Sequence, residues 1–196
     1  MNAILRSPEH HYTLADYLAW PEGERWELIG GVAYGMAPAP SVRHQQIVLN
    51  FAFFLKERLK GKTCRPFVAP MDVVLSDHDV VQPDISVVCD PVKITDQNIR
   101  GAPDLVIEVL SPATSTRDLR EKKALYQGAG VPEYLVVDPL ELYVQRFVTG
   151  EGGRYGEGEI FGAREELPLF SLAGCVVPLW EIFELEPPAE GSANPS

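Results

Sequence analysis

Apolar positions recur along this chain in two periods, and the switches between them mark the elements. Leu14, Tyr17 and Leu18 follow Thr13 at i, i+3, i+4 spacing, which predicts a short helix over 13–20, capped by Thr13 and stopped by Pro21. In RWELIGGVAYGM the Gly30-Gly31 pair sits between two short strand-like runs, a two-residue hairpin signal with Glu27 inside its first strand. After the turn-like APAPS, residues Ile47, Val48, Phe51, Phe54 and Leu55 share one helical face between Val42 and Leu59, with Ser41 as cap. This is the longest helix the pattern predicts.

Three runs rich in Val and Ile follow, RPFVAPMDVVL, VVQPDISVVCD and PDLVIEVLS, and they read as strands of one sheet. SPATSTRD then opens a helix that runs to about Gln127 and closes at Gly128 or Gly130, with Ser115 and Asp118 at capping-box spacing. Strands return in EYLVVDP and LYVQRFV, and the glycines of GEGGRYGEGE read as a hairpin turn, since no strand leads into a helix there. A last helix is predicted near 179–185, and PPAEGSANPS, 187–196, reads as a disordered tail. The order predicts one α/β (α+β) domain over 1–186, with helices packed on a mixed central sheet.

Composition narrows the function classes. The three cysteines, Cys64, Cys89 and Cys175, are odd in number and far apart, which argues against both a disulfide scaffold and a zinc finger. There is no cationic start followed by an apolar stretch and no long apolar window, so the expectation is a cytoplasmic chain with no membrane partner. The net charge of −11 speaks against binding nucleic acid through phosphates, but residues 151–196 carry nine acids against two bases, so most of the acidity lies at the back end. Two basic runs lie ahead of it: Lys56, Arg58, Lys60, Lys62 and Arg65, and Arg117, Arg120, Lys122 and Lys123. The first also suits the C-terminal end of a helix before Gly61.

Two carboxylates stand out. Glu108 interrupts the apolar strand DLVIEVL, on the face of Val106 and Leu110, where it must be paired, protonated or bound to a cation. Asp84 opens DISVV behind Pro83, as a turn residue or a ligand. Together, with a strand carbonyl, they can hold Mg²⁺ or Mn²⁺ through oxygen ligands, an ion that polarises a phosphoryl oxygen and lowers the pKa of bound water. Lys122 can orient that water from the following helix, where Asp118, Lys122 and Tyr126 recur at i+4; a surface ion pair between Asp118 and Lys122 is the plainer alternative. Lys123 points elsewhere around the helix.

QPDIS, the 24 residues from Asp84 to Glu108 in IEVLSP, D-xxx-K-xxx-Y from Asp118 to Tyr126, and GVPEYLVVDP together resemble the Uma-two family of restriction-endonuclease-like proteins, within the PD-(D/E)xK nuclease superfamily. WELIGG, with Glu27, and SVRHQQI, with His44, extend the likeness to roughly 12–185. The resemblance implies a restriction-endonuclease-like core, a divalent-metal site and hydrolysis of DNA phosphodiester bonds. It makes Asp84, Glu108 and the Val109 carbonyl the metal ligands and Lys122 the catalytic lysine, moved from the position of Leu110 to the helix. Glu27 resembles a further acid near the metal and can equally be an exposed strand-edge glutamate. His44 can cap, pack, face water or act at the site, Gln82 can orient Asp84, and Tyr126 can orient Lys122 or only pack. A homodimer would suit cleavage of both strands of a duplex. The second reading is a nuclease fold that has lost cleavage and binds nucleic acid or protein.

Overall fold

In the computed structural model, which describes residues 6–7, 9–21, 23–36, 40–112 and 115–189, the chain opens with α1 (Leu14–Leu18) and the hairpin β1 (Trp26–Ile29) and β2 (Val32–Gly35). Thr13 accepts from the Asp16 N–H while Asp16 reaches back to the Thr13 N–H, so α1 starts in a capping box. Gly30 and Gly31 both take positive φ, as a tight two-residue turn requires. Next comes α2 (Val42–Arg58), whose first turn Ser41 caps by accepting from the His44 N–H at 3.2 Å. Residues 37–39 of APAPS lie outside the described residues.

The first two apolar runs each divide, contrary to the single sheet expected of them. RPFVAPMDVVL gives β3 (Arg65–Val68) and β4 (Val73–Ser76); VVQPDISVVCD gives β5 (Asp79–Val81) and β6 (Ile85–Val88). Pro70 and Pro83 have no N–H to lend a ladder, so each run breaks at its proline and continues in another sheet. One sheet has the order β2-β1-β5-β4-β7, where β7 is Ile99–Arg100 and lies parallel to β4. The other has the order β11-β10-β9-β8-β6-β3, built with β8 (Leu105–Val109), β9 (Glu133–Asp138), β10 (Tyr143–Val148) and β11 (Glu159–Gly162). The glycine-rich GEGGRYGEGE joins β10 to its antiparallel neighbour β11, as expected.

Only β8 and β9 pair in parallel within the larger sheet, and a parallel pair needs a crossover. That crossover is α3 (Ser115–Arg117), a π-helical turn over Asp118–Lys122, and α4 (Lys123–Ala129), ended by Gly130 in the left-handed conformation. Ser115 lies inside the helix and does not cap it, which corrects the expected capping box with Asp118; residues 113–114 lie outside the described residues. The hairpin β12 (Glu166–Pro168) and β13 (Val176–Pro178) leads to α5 (Leu179–Ile182), shorter than the helix expected there. Of the expected tail, residues 187–189 have no regular structure and 190–196 lie outside the described residues. Among the described residues, no helix is long and apolar enough to cross a membrane.

One core lies between α2 and the six-stranded sheet, where Ile47, Phe51 and Leu55 meet Ile85, Leu105, Ile107, Leu135 and Val137. A second fills the opposite face, with Val106, Tyr126, Tyr134, Val136 and Phe147. Cys64 and Cys89, which flank the antiparallel pair β3–β6, are joined by a disulfide. The cysteine count and spacing argue against a disulfide scaffold, yet one disulfide forms, because the register Arg65↔Val88 brings the two residues together from 25 positions apart. Phe51 is fully buried, so Phe51→Ala removes its contacts and leaves a cavity. It is expected to lower unfolding free energy by about 3–5 kcal/mol in a urea titration, with the denaturant slope unchanged.

Candidate functional site

Strands β6 and β8 run antiparallel with Ile85 opposite Ile107, so the next pair outward is Asp84 and Glu108, side chains on one face. Along β8, Leu105, Ile107 and Val109 enter the core beneath α2, while Val106 enters the opposite one and Glu108 meets the crossover helix. Asp84 Oδ2 accepts from the Val109 N–H at 2.8 Å and lies 3.2 Å from Nε2 of His44 on α2. The aspartate is thereby fixed to the residue after its partner glutamate.

Glu27 arrives from the other sheet. Its position on β1 turns it inward to full burial, where Oε1 accepts from the Gln82 N–H at 3.0 Å and from Lys122 Nζ at 2.8 Å. Lys122 Nζ also lies 2.8 Å from Glu108 Oε1 and 3.9 Å from Asp118 Oδ1. A second cation, Arg117, stands 3.5 Å from Glu27 Oε2 with its guanidinium 5.6 Å from the centre of the Tyr34 ring, the residue opposite Glu27 on β2. One ammonium therefore binds acids from two sheets and its own helix.

The π turn makes this possible. It advances about 80° per residue against about 100° in an α-helix. Lys122 then falls about 40° short of the line of Asp118, and the α turn that follows returns Tyr126 to that line; an unbroken α-helix would spread the three over about 80°. All three are buried. Tyr126 donates its hydroxyl to Glu108 Oε1 at 2.8 Å, and the Tyr134 hydroxyl donates to the Asp118 carbonyl at 3.1 Å, supplying a partner within the widened turn. Lys123 leaves the cluster and sits 3.8 Å from the centre of the Phe147 ring.

Burial raises the Glu108 carboxyl, the Lys122 charge opposes the rise, and Asp118, Asp84 and Glu27 add to it, leaving it at about 8. Burial disfavours a charged Lys122, but Glu108, Glu27 and Asp118 outweigh it and hold the ammonium protonated. His44 follows the same logic: burial works against its charge, while hydrogen bonding to Asp84, the Asp84 charge and the Val109 backbone lift its pKa above the ordinary histidine value. Burial and then Glu108 push the Tyr126 hydroxyl well up, so it stays a donor.

The structure brings Glu27, Asp84, Glu108 and Lys122 together and corrects several roles. Glu27 is not an exposed strand-edge residue, and Asp118–Lys122 is not a surface pair. Gln82 serves Glu27 through its backbone N–H and not Asp84; its side chain donates to Asp72 Oδ1 at 2.8 Å, beside the Tyr17 hydroxyl. Tyr126 holds Glu108 rather than Lys122. Arg117 and Lys122 face inward, and Arg58 lies fourteen residues, about 21 Å, along α2 from His44. Tyr34, Asp72 and Tyr134 had no local signal in the sequence. Lys122→Met removes the ammonium between Glu27 and Glu108 and leaves Arg117 as the cation beside Glu27, so it is expected to cost about 3–5 kcal/mol in urea unfolding. Adding Glu108→Gln should recover part of that loss.

Residues 14–179 match the sequence profile of the Uma2 family, described as "Putative restriction endonuclease". The uncharacterized protein slr1290 of Synechocystis sp. is 28% identical over 142 residues, 70% of this chain and 74% of that one. The crystal structure of a protein from Anabaena variabilis, described as a putative nuclease belonging to DUF820, superposes with a TM-score of 0.73 at 23% identity, over 88% of this chain and 97% of that one. That likeness carries the fold: helices against mixed sheets. With 166 consecutive positions matched, the chain belongs to the Uma2 family of restriction-endonuclease-like proteins.

Proposed function

We propose that this chain is a divalent-metal-dependent endonuclease of the PD-(D/E)xK type, hydrolysing DNA phosphodiester bonds. The observation that carries the reading is the facing of Asp84 and Glu108 across β6 and β8, with the Lys122 ammonium 2.8 Å from Glu108. The hydrogen bonds among the described residues load Glu108 Oε1 and Asp84 Oδ2; on Glu108 Oε2 and Asp84 Oδ1 none is found. Two carboxylate oxygens and the Val109 carbonyl suit Mg²⁺ or Mn²⁺. Among the described residues no three His, Cys, Asp or Glu side chains cluster as ligands, so waters and substrate oxygens complete the shell, as Mg²⁺ prefers. Charge favours a cation as well, since Glu27, Asp84 and Glu108 meet, among the described residues, the cations Lys122, Arg117 and, when protonated, His44.

The ion would supply Lewis acidity at the phosphoryl oxygen. Lys122 would orient the attacking water with its ammonium and offset charge growing on the phosphate, as a fixed donor in a dry site does. Glu27 holds that ammonium from the other side, and Tyr126 fixes the Glu108 carboxyl. Cleaving both strands of a duplex calls for two such sites, hence a symmetric dimer. The competing reading, a nuclease fold that binds without cleaving, draws on the engagement of one oxygen of each carboxylate by His44 or Lys122.

Thermal unfolding with Mn²⁺ and nicking of a supercoiled plasmid separate the two. Metal at about a hundred times its Kd is expected to raise the wild-type midpoint by about 5–10 °C. Asp84→Asn and Glu108→Gln should lose both shift and cleavage; Lys122→Met should keep the shift and lose cleavage. A wild type that binds DNA but neither responds to metal nor nicks it would establish the non-cleaving reading.

A further inference from the structure

Val42, Leu49 and Phe53 line the side of α2 opposite the core and stand 87%, 60% and 68% exposed. At about 100° per residue they fall within about 40° of one line, so they share one face of the helix. Beside it lies α5, tied on by Asn50 Nδ2 donating to the Ile182 carbonyl at 3.1 Å. Between the helices runs a groove with two hollows that share Ile182. One, of about 480 Å³, is lined by Val42, Arg43, Ile47 and Phe183 among others; the second, of about 280 Å³, by Phe53 and Glu57. A row of large apolar side chains beside a groove marks an interaction surface.

The surface complements itself. Arg43 and Glu57 lie seven residues to either side of Asn50, on one flank of the helix. A second α2 laid antiparallel across a twofold axis at Asn50 sets Arg43 of each copy against Glu57 of the other. The same operation carries Phe53, three residues past Asn50, to the level of Ile47, where the larger hollow opens. We propose that two copies of this chain dimerise through α2 and α5, each Phe53 seated in the other copy's larger hollow and Arg43–Glu57 pairs closing both ends. The chain's own final residues are poor competitors, since EGSANPS offers no large apolar side chain to the groove. The inference does not depend on what the active site cleaves.

Sedimentation equilibrium of the full chain tests it. The wild type is expected to be dimeric at about 100 μM, and Phe53→Asp monomeric with an unchanged far-UV spectrum. Arg43→Glu should raise the dimer Kd at least about tenfold, and Arg43→Glu with Glu57→Arg should restore it, so the interface remains testable if Phe53→Asp fails to fold. A monomeric wild type, or a dimer whose Kd is indifferent to both Phe53→Asp and Arg43→Glu, would overturn the proposal. So would a chain ending at 189 that dimerises where the full chain does not, because the tail would then be the occupant of the groove.

Discussion

The buried Lys122 ammonium is the junction on which the architecture turns. Its partners come from separate elements: Glu27 from β1 in the five-stranded sheet, Glu108 from β8 in the six-stranded sheet, and Asp118 from the crossover helix itself. Acids buried this deeply without a cation would be costly, and a lone buried lysine equally so. Each group is tolerable only because the others are present. The two sheets are therefore joined by charge at a point where apolar packing alone would not have selected one relative placement.

A ring of hydrogen bonds outside the ammonium turns that attraction into fixed geometry. The Gln82 backbone and Arg117 steady Glu27, Tyr126 steadies Glu108, and the Val109 N–H steadies Asp84. Tyr134 reaches the Asp118 carbonyl within the π turn. Such a ring helps explain how so many polar groups are tolerated beneath a sheet, because hydrogen-bonded networks in a low dielectric are stiff. The unusual helical turn belongs with the site, as π turns often do.

The sequence made part of this legible, for reasons that differ from residue to residue. Glu108 was conspicuous because a charge inside LVIEV violates the pattern around it, and α2 was conspicuous because its apolar positions keep one period for seventeen residues. Glu27 was ambiguous, since a four-residue strand does not reveal which of its faces another sheet will cover. The division of RPFVAPMDVVL between sheets was missed because Val and Ile satisfy a buried strand in either sheet, and only the prolines hint at the break. The π turn leaves no mark in DLREK, and Tyr134 meets Asp118 from sixteen residues away through a strand pairing that no local pattern encodes. Cys64 and Cys89 were similarly hidden, because their proximity is a matter of register.

Placing the lysine on the crossover helix also separates the buried cation from strand register. At the end of β8, Leu110 is free to be an apolar residue of the second core, so the strand carries one charge there instead of two. A strand can be adjusted only in whole residues, and a slip of one reverses which face every side chain meets. A helix lying across the sheet can translate or rotate by small fractions of a residue while the ladder beneath stays intact. Substitutions under α4 could thus tune the distance between cation and carboxylate finely, a freedom that a lysine two positions along the same strand would not have.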